Sequence, residues 1–157
     1  MNTNRQGVPH EKHRQDYRRD AQSQAGQRVV QVNFFRNKAQ KELDPDLLDS
    51  KAQQQAGLLH ERVNSAQIMK FFGDIKGLYL RLEQGRPWNQ IEPMFRMIKS
   101  KAAYAASSGR AGRIPEEFRD FLVVNIDKVR DEDDLRAFVL YFEAVLGFMY
   151  GKGLVTK

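Results

Sequence analysis

Four acidic residues in a row, Asp131-Glu132-Asp133-Asp134, and three histidines, His10, His13 and His60, are the groups whose types suit hydrolytic or metal chemistry. Two-metal phosphoryl transfer needs carboxylates that converge from several elements on a pair of cations. Four neighbours in one stretch do not converge in that way, and they read better as the cap and first turn of a helix, where the positive end of the macrodipole favours carboxylates. His10 and His13 have i, i+3 spacing without a second ligand pair, and His60 stands alone, so solvent-facing histidines are the simpler reading. The chain contains no cysteine, which removes disulfides, thiolate metal sites and thiol catalysis and suits a reducing cytoplasm. Gly151-Lys152-Gly153 lacks the upstream glycine and the Ser or Thr of a phosphate-cradling loop. Asn125 falls on an apolar helix side, where a hydrogen-bonded structural amide is the usual occupant. These residues name no catalytic group, no metal ligand and no cofactor.

The remaining chemistry is that of positive charge. The chain has 157 residues with 26 Lys+Arg against 20 Asp+Glu, a formal net charge of +6. Counted in blocks, residues 1–38 carry 8 basic and 3 acidic groups, 39–61 carry 2 and 5, 62–113 carry 10 and 3, and 114–157 carry 6 and 9. The third block is the footprint expected for a polyanion partner, because each contacted phosphate releases condensed counterions. Its candidates are Lys70, Arg81, Arg96, Lys99, Lys101, Arg110 and Arg113. Gly109 and Gly112 beside the last two let the backbone approach a phosphate closely. The aromatic residues fall mostly on apolar stripes rather than in a base-reading pattern, so backbone and shape recognition is expected.

These cations must be held by helices. Residues 1–33 are rich in Gln and Arg with scattered apolar residues, which reads as a basic arm, or as a polar helix over residues 11–27 that orders on a partner. Residues 34–157 form the folded domain, and no second full domain is expected. Asp44-Pro45 is a cap followed by a first turn, with Leu47, Leu48, Ala52, Ala56 and Leu59 as a weak stripe. Stronger periodicity predicts helices over 66–84, 93–107, 115–130 and 132–150. The second stretch can start anywhere from Trp88 to Pro93 and is expected to bury Met94, Phe95, Ile98, Ala102 and Ala105, with Pro93 confined to its first turn. Phe71, Phe72, Phe118, Leu122, Phe138 and Phe142 are core candidates. The last helix carries a second stripe, Ala137, Tyr141, Ala144 and Phe148, which suits an interface with another subunit. No period-2 runs bounded by hairpin turns are present, so the fold class is all-α, a compact bundle of four to five helices with a basic N-terminal arm. The apolar stretches are too short to span a bilayer, and residues 1–20 lack a signal-type apolar segment, so no membrane partner is expected.

Three stretches in order carry a family likeness over about residues 58 to 151. Asn64-Ser65-Ala66-Gln67-Ile68-Met69-Lys70-Phe71-Phe72, Ile98-Lys99-Ser100-Lys101-Ala102-Ala103-Tyr104-Ala105 with Gly109-Arg110, and Phe138 to Leu146 together resemble the small helical Csm subunit of type III-A CRISPR-Cas effector complexes. The chain departs from that pattern at Met69, where a basic residue is expected before Lys70, at Ser107-Ser108, and in the N-terminal arm. The resemblance implies a non-catalytic cytoplasmic scaffold, present in stacked copies, that contacts crRNA and target RNA and neighbouring subunits while those subunits perform the cleavage. Small subunits of other CRISPR effectors, a helical DNA-binding regulator and a purely structural bundle are the alternatives.

Overall fold

The computed structural model describes residues 28–59, 62–109 and 111–153. It is an all-α bundle with one very small sheet. The described chain enters through a hairpin in which β1 (Phe35–Asn37) pairs antiparallel with β2 (Glu42–Leu43). Asp44 then accepts a hydrogen bond from the Asp46 amide and starts a 3-10 turn, Pro45–Leu48, with Pro45 in the position where its missing N–H costs nothing. The expected single helix is therefore two pieces, the 3-10 turn and α1 (Ser50–Leu59), separated at Asp49.

Helix α2 (Ser65–Glu83) begins with a reciprocal cap. Asn64 Oδ1 accepts from the Gln67 amide at 2.9 Å while Gln67 Oε1 accepts from the Asn64 amide at 3.3 Å, which satisfies two of the orphan donors of a helix start. Its buried stripe is Ile68, Phe71, Phe72, Ile75, Leu78 and Leu82. It ends at Gly85, whose φ of +96° is ordinary only for glycine. Helix α3 (Trp88–Ala105) starts five residues before Pro93, so Pro93 lies in the second turn rather than the first. The stripe Ile91, Phe95, Ile98 and Ala102 is buried on both sides of that proline, and this packing offsets the hydrogen bond the ring removes. Met94, expected inside, is 40% exposed, because it lies off that stripe.

Helix α4 (Glu116–Lys128) carries Glu116 and Glu117 in its first turn and buries Phe118, Phe121, Leu122, Asn125 and Ile126. Asn125 Nδ2 donates to the Phe121 carbonyl at 2.8 Å. Helix α5 (Glu132–Gly151) is capped by Asp131, which accepts from the Asp134 amide at 2.9 Å. It packs on α1 and α2, while α3 packs on α2 and α4. Rings fill the centre: Phe142 lies 5.2 Å from Phe72 and 5.1 Å from Phe121, both edge-on, and Phe138 sits between Phe95 and Phe34. All six aromatic and aliphatic core candidates are buried.

Part of the stretch assigned by composition to the arm is packed. Val29 and Val32 are buried, the Val30 amide donates to Gln55 Oε1 at 2.9 Å, and Lys128 Nζ donates to the Val32 carbonyl at 2.7 Å. A short valine cluster at the end of a long polar stretch is too little to signal a core in sequence, yet Val32 joins the hydrophobic core and Val30 packs against it. Residues 1–27, with His10 and His13, lie outside the described residues, as do His60 and Arg110.

Candidate nucleic-acid interface

The basic residues of α2 and α3 separate according to what they face: Lys76 pairs with Glu143 of α5 at 3.2 Å, and the binding candidates fall into two sets. Arg96 and Lys99 turn toward α4. The Arg96 guanidinium donates to the carbonyls of Ile126 at 2.7 Å and Val129 at 2.5 Å, and to Glu92 at 3.2 Å. A helix C-terminus leaves its last carbonyls without intrahelical donors, and Arg96 fills that need for α4. Its hydrogen-bonding capacity is thereby directed into the fold. Lys99 forms an ion pair with Asp127.

Lys70, Arg81 and Lys101 face the other way, along the groove where α2 and α3 meet. Two adjoining depressions of about 260 Å³ each share Asp74 and Lys101. The first is lined by Gly73, Gly77, Arg81, Met94 and Met97, and the second by Lys70, Phe71 and Tyr104. Lys101 Nζ stands 3.7 Å from Asp74, both side chains substantially exposed, so the pair is a loose surface contact. Lys70 and Arg81 are exposed and pair with no carboxylate among the described residues. Beyond the α3 terminus, Gln67 Nε2 donates to the carbonyls of Gly112 at 2.8 Å and Arg113 at 3.1 Å. The Gln67 side chain thus fixes the loop that carries the exposed Arg113, which lines a separate depression with Ile114, Glu116 and Glu117.

A larger cleft, about 610 Å³, lies between the residues before β1 and the junction of α4 and α5. Its signs are mixed: Lys38 bridges Asp131 and Asp134 at 2.8 Å each, and Asp127 is occupied by Lys99. The hydrogen bonds that Lys38 donates to Asp131 and Asp134 raise its pKa, and although burial alone would raise that of Asp131, Lys38 and the cap amides hold it below the usual carboxylate value. Burial lowers the pKa of Lys128 in the same cleft. Asp131 and Asp134 are spent on the helix start and on these pairs, and Asp133 lies 3.4 Å from Lys41. Among the described residues no group of three His, Cys, Asp or Glu side chains is arranged to hold a metal, and no helix is long and apolar enough to cross a membrane.

The second stripe of α5 divides. Ala137 and Tyr141 are 1% and 0% exposed, inside the chain's own core, with Tyr141 6.0 Å from Phe121; they have no surface to offer another subunit. Ala144 and Phe148 are half-buried. What sequence reasoning missed is the apolar wall of the α2–α3 groove. Its signal was present: Met97, Lys101 and Tyr104 recur at i, i+4, i+7 off the Phe95 stripe, opposite Gly73 and Gly77.

Compared with known proteins, the chain matches the family model described as Csm2 Type III-A over residues 42–152, more than half its length. No curated protein and no solved structure matches it.

Proposed function

The chain belongs to the Csm2 type III-A family and is a small subunit of a type III-A CRISPR-Cas complex, and from that premise we propose that it acts there as a non-catalytic RNA-binding scaffold. It contacts the backbone of crRNA and target RNA through Lys70, Arg81, Lys101 and Arg113, with Arg110 three positions before Arg113 in the sequence a further candidate, and it needs no metal or cofactor to do so. Lys99 contributes only by giving up Asp127. The observation that carries the reading is the run of Lys70, Lys101 and Arg81 along one groove between α2 and α3, beside the single carboxylate of Asp74. A phosphate chain laid along that groove meets cations throughout, and contacts of this kind position a strand without reading its bases. Neighbouring subunits, further copies of the chain included, meet the outer side of α5, where Leu140, Ala144 and Phe148 recur every four residues, while the buried Ala137 and Tyr141 do not take part.

The test is RNA binding by the purified chain across a salt series. Replacing Lys70, Arg81 and Lys101 together by Ala should weaken binding of unrelated sequences equally and reduce the log–log salt slope by about 2, at about 0.7 per single-strand phosphate contact. An unchanged slope in the triple variant defeats the proposal. The same preparation should leave RNA and single-stranded DNA intact with magnesium, manganese or zinc; cleavage lost on changing Asp131 and Asp134 would make the chain an enzyme.

A further inference from the structure

The α2–α3 groove has features that phosphate contact alone does not require. Met94 is 40% exposed, Met97 51% and Tyr104 67%, and all three line the groove that holds Lys70, Arg81 and Lys101. Its floor at Gly73 and Gly77 is open, with nothing within 4 Å of where a Cβ would stand. Along α2 the track from Lys70 to Arg81 covers eleven residues, about 16 Å at the helical rise. Apolar side chains flanked by cations at both ends match a strand that alternates charged phosphates with flat apolar bases. They match a purely apolar protein helix less well, since such a helix would strand Arg81 and Lys70 without counter-charges.

We propose that this groove is a track for single-stranded RNA in which Tyr104 and the two methionines take base and ribose surfaces between phosphates held by Lys70, Lys101 and Arg81, and in which Asp74 accepts a hydrogen bond from a ribose 2′-hydroxyl. The inference rests on the RNA-binding reading above and extends it from charge to shape and sugar. Asp74 is the telling group. Lys101 Nζ stands 3.7 Å from one Asp74 oxygen, a loose contact that leaves acceptor sites on the carboxylate free; an ionised carboxylate only accepts, and the donor that a nucleic-acid backbone can offer it is the 2′-hydroxyl, which DNA lacks. Tyrosine suits the flat partner, because every base has a π-face and stacking is indifferent to sequence.

Binding of the full chain to oligouridine and to oligodeoxyuridine of equal length, each across a salt series, tests this. Tyr104→Ala should weaken RNA binding by about fivefold, the low end of the cost of losing one stacked base, with the salt slope unchanged, and Tyr104→Phe should bind as the parent does. Asp74→Ala should shrink the preference for RNA over its deoxy counterpart, even if removal of a negative charge tightens both. If Tyr104→Ala binds RNA like the parent while the Lys70, Arg81 and Lys101 triple variant loses slope, the apolar wall serves a protein partner and this inference falls with the RNA-binding reading intact. If Asp74→Ala leaves the RNA-to-DNA ratio unchanged, the assignment of Asp74 is wrong. If neither the tyrosine nor the triple variant alters binding, both readings fail together.

Discussion

Replacing Arg96 by Ala separates a basic residue that holds the fold from one that holds RNA. The guanidinium donates to the Ile126 carbonyl at 2.7 Å and the Val129 carbonyl at 2.5 Å across the α3–α4 contact. Charged hydrogen bonds are worth about 1.5–3 kcal/mol each when one partner is deleted, so a fully buried pair would give about 3–6 kcal/mol. Two observations reduce that figure. The Arg96 side chain is 30% exposed, so water reaches the vacated site, and the Ile126 carbonyl retains a second donor in the Val129 amide at 3.2 Å. The expected loss is about 2 kcal/mol, which for a chain of this length lowers Tm by about 4–8 °C. Arg96→Lys should recover only part of it, because an ammonium lacks the planar fork that reaches two carbonyls at once. Thermal and urea unfolding measure the stability, and the RNA salt series is run on the same variants. Unfolding midpoints within about 0.5 kcal/mol of the parent, together with a salt slope reduced by about 0.7, would refute the structural assignment and return Arg96 to the binding surface.

Two further perturbations probe the core and the α5 start. Phe142→Ala removes a ring packed against Phe72, Phe118, Phe121 and Phe138 at centroid distances of 5.1–6.2 Å and should cost about 3–5 kcal/mol in urea unfolding; a cost below about 1 kcal/mol would mean that the neighbouring rings collapse into the space. Asp131→Asn keeps a good N-cap for α5 while deleting the charge paired with Lys38. Because the Asp131 pKa is lowered in the folded chain, the stabilisation from its ionised form is present above the ordinary carboxylate value of 3.8 and is lost as pH falls through the folded value below it. Parent and variant should therefore differ in Tm at pH 6 and converge under strongly acidic conditions, and a gap that widens on acidification would contradict the pairing.

The helices were legible because their signals are local. The stripe from Ile68 to Leu82 has a 3.6-residue period, and Asn64 with Gln67 is a capping pair visible as two letters three positions apart. The α3 start lies at the early edge of the range the sequence allows, and the confinement of Pro93 to the first turn fails because Ile91, buried upstream of it, extends the stripe. The site was legible only as a charge count. A helical wheel puts Lys99 and Lys101 on different flanks but does not say that one flank abuts Asp127 and the other opens onto a groove.

Composition and periodicity by themselves determined an all-α chain, the placement of its aromatic core, the capping role of the acids at 131–134 and the concentration of positive charge between residues 62 and 113, since each follows from neighbours within a turn or two. Tertiary structure alone decided which cations are consumed. Arg96 is consumed by carbonyls 30 and 33 residues away, Val29 and Val32 are drawn into the core from a polar stretch, and Ala137 and Tyr141 are covered by the chain's own helices. Those outcomes depend on which helix face meets which, and a hydrogen bond or a buried surface across such a contact is a property of two distant segments at once, for which no single stretch of sequence carries the signal.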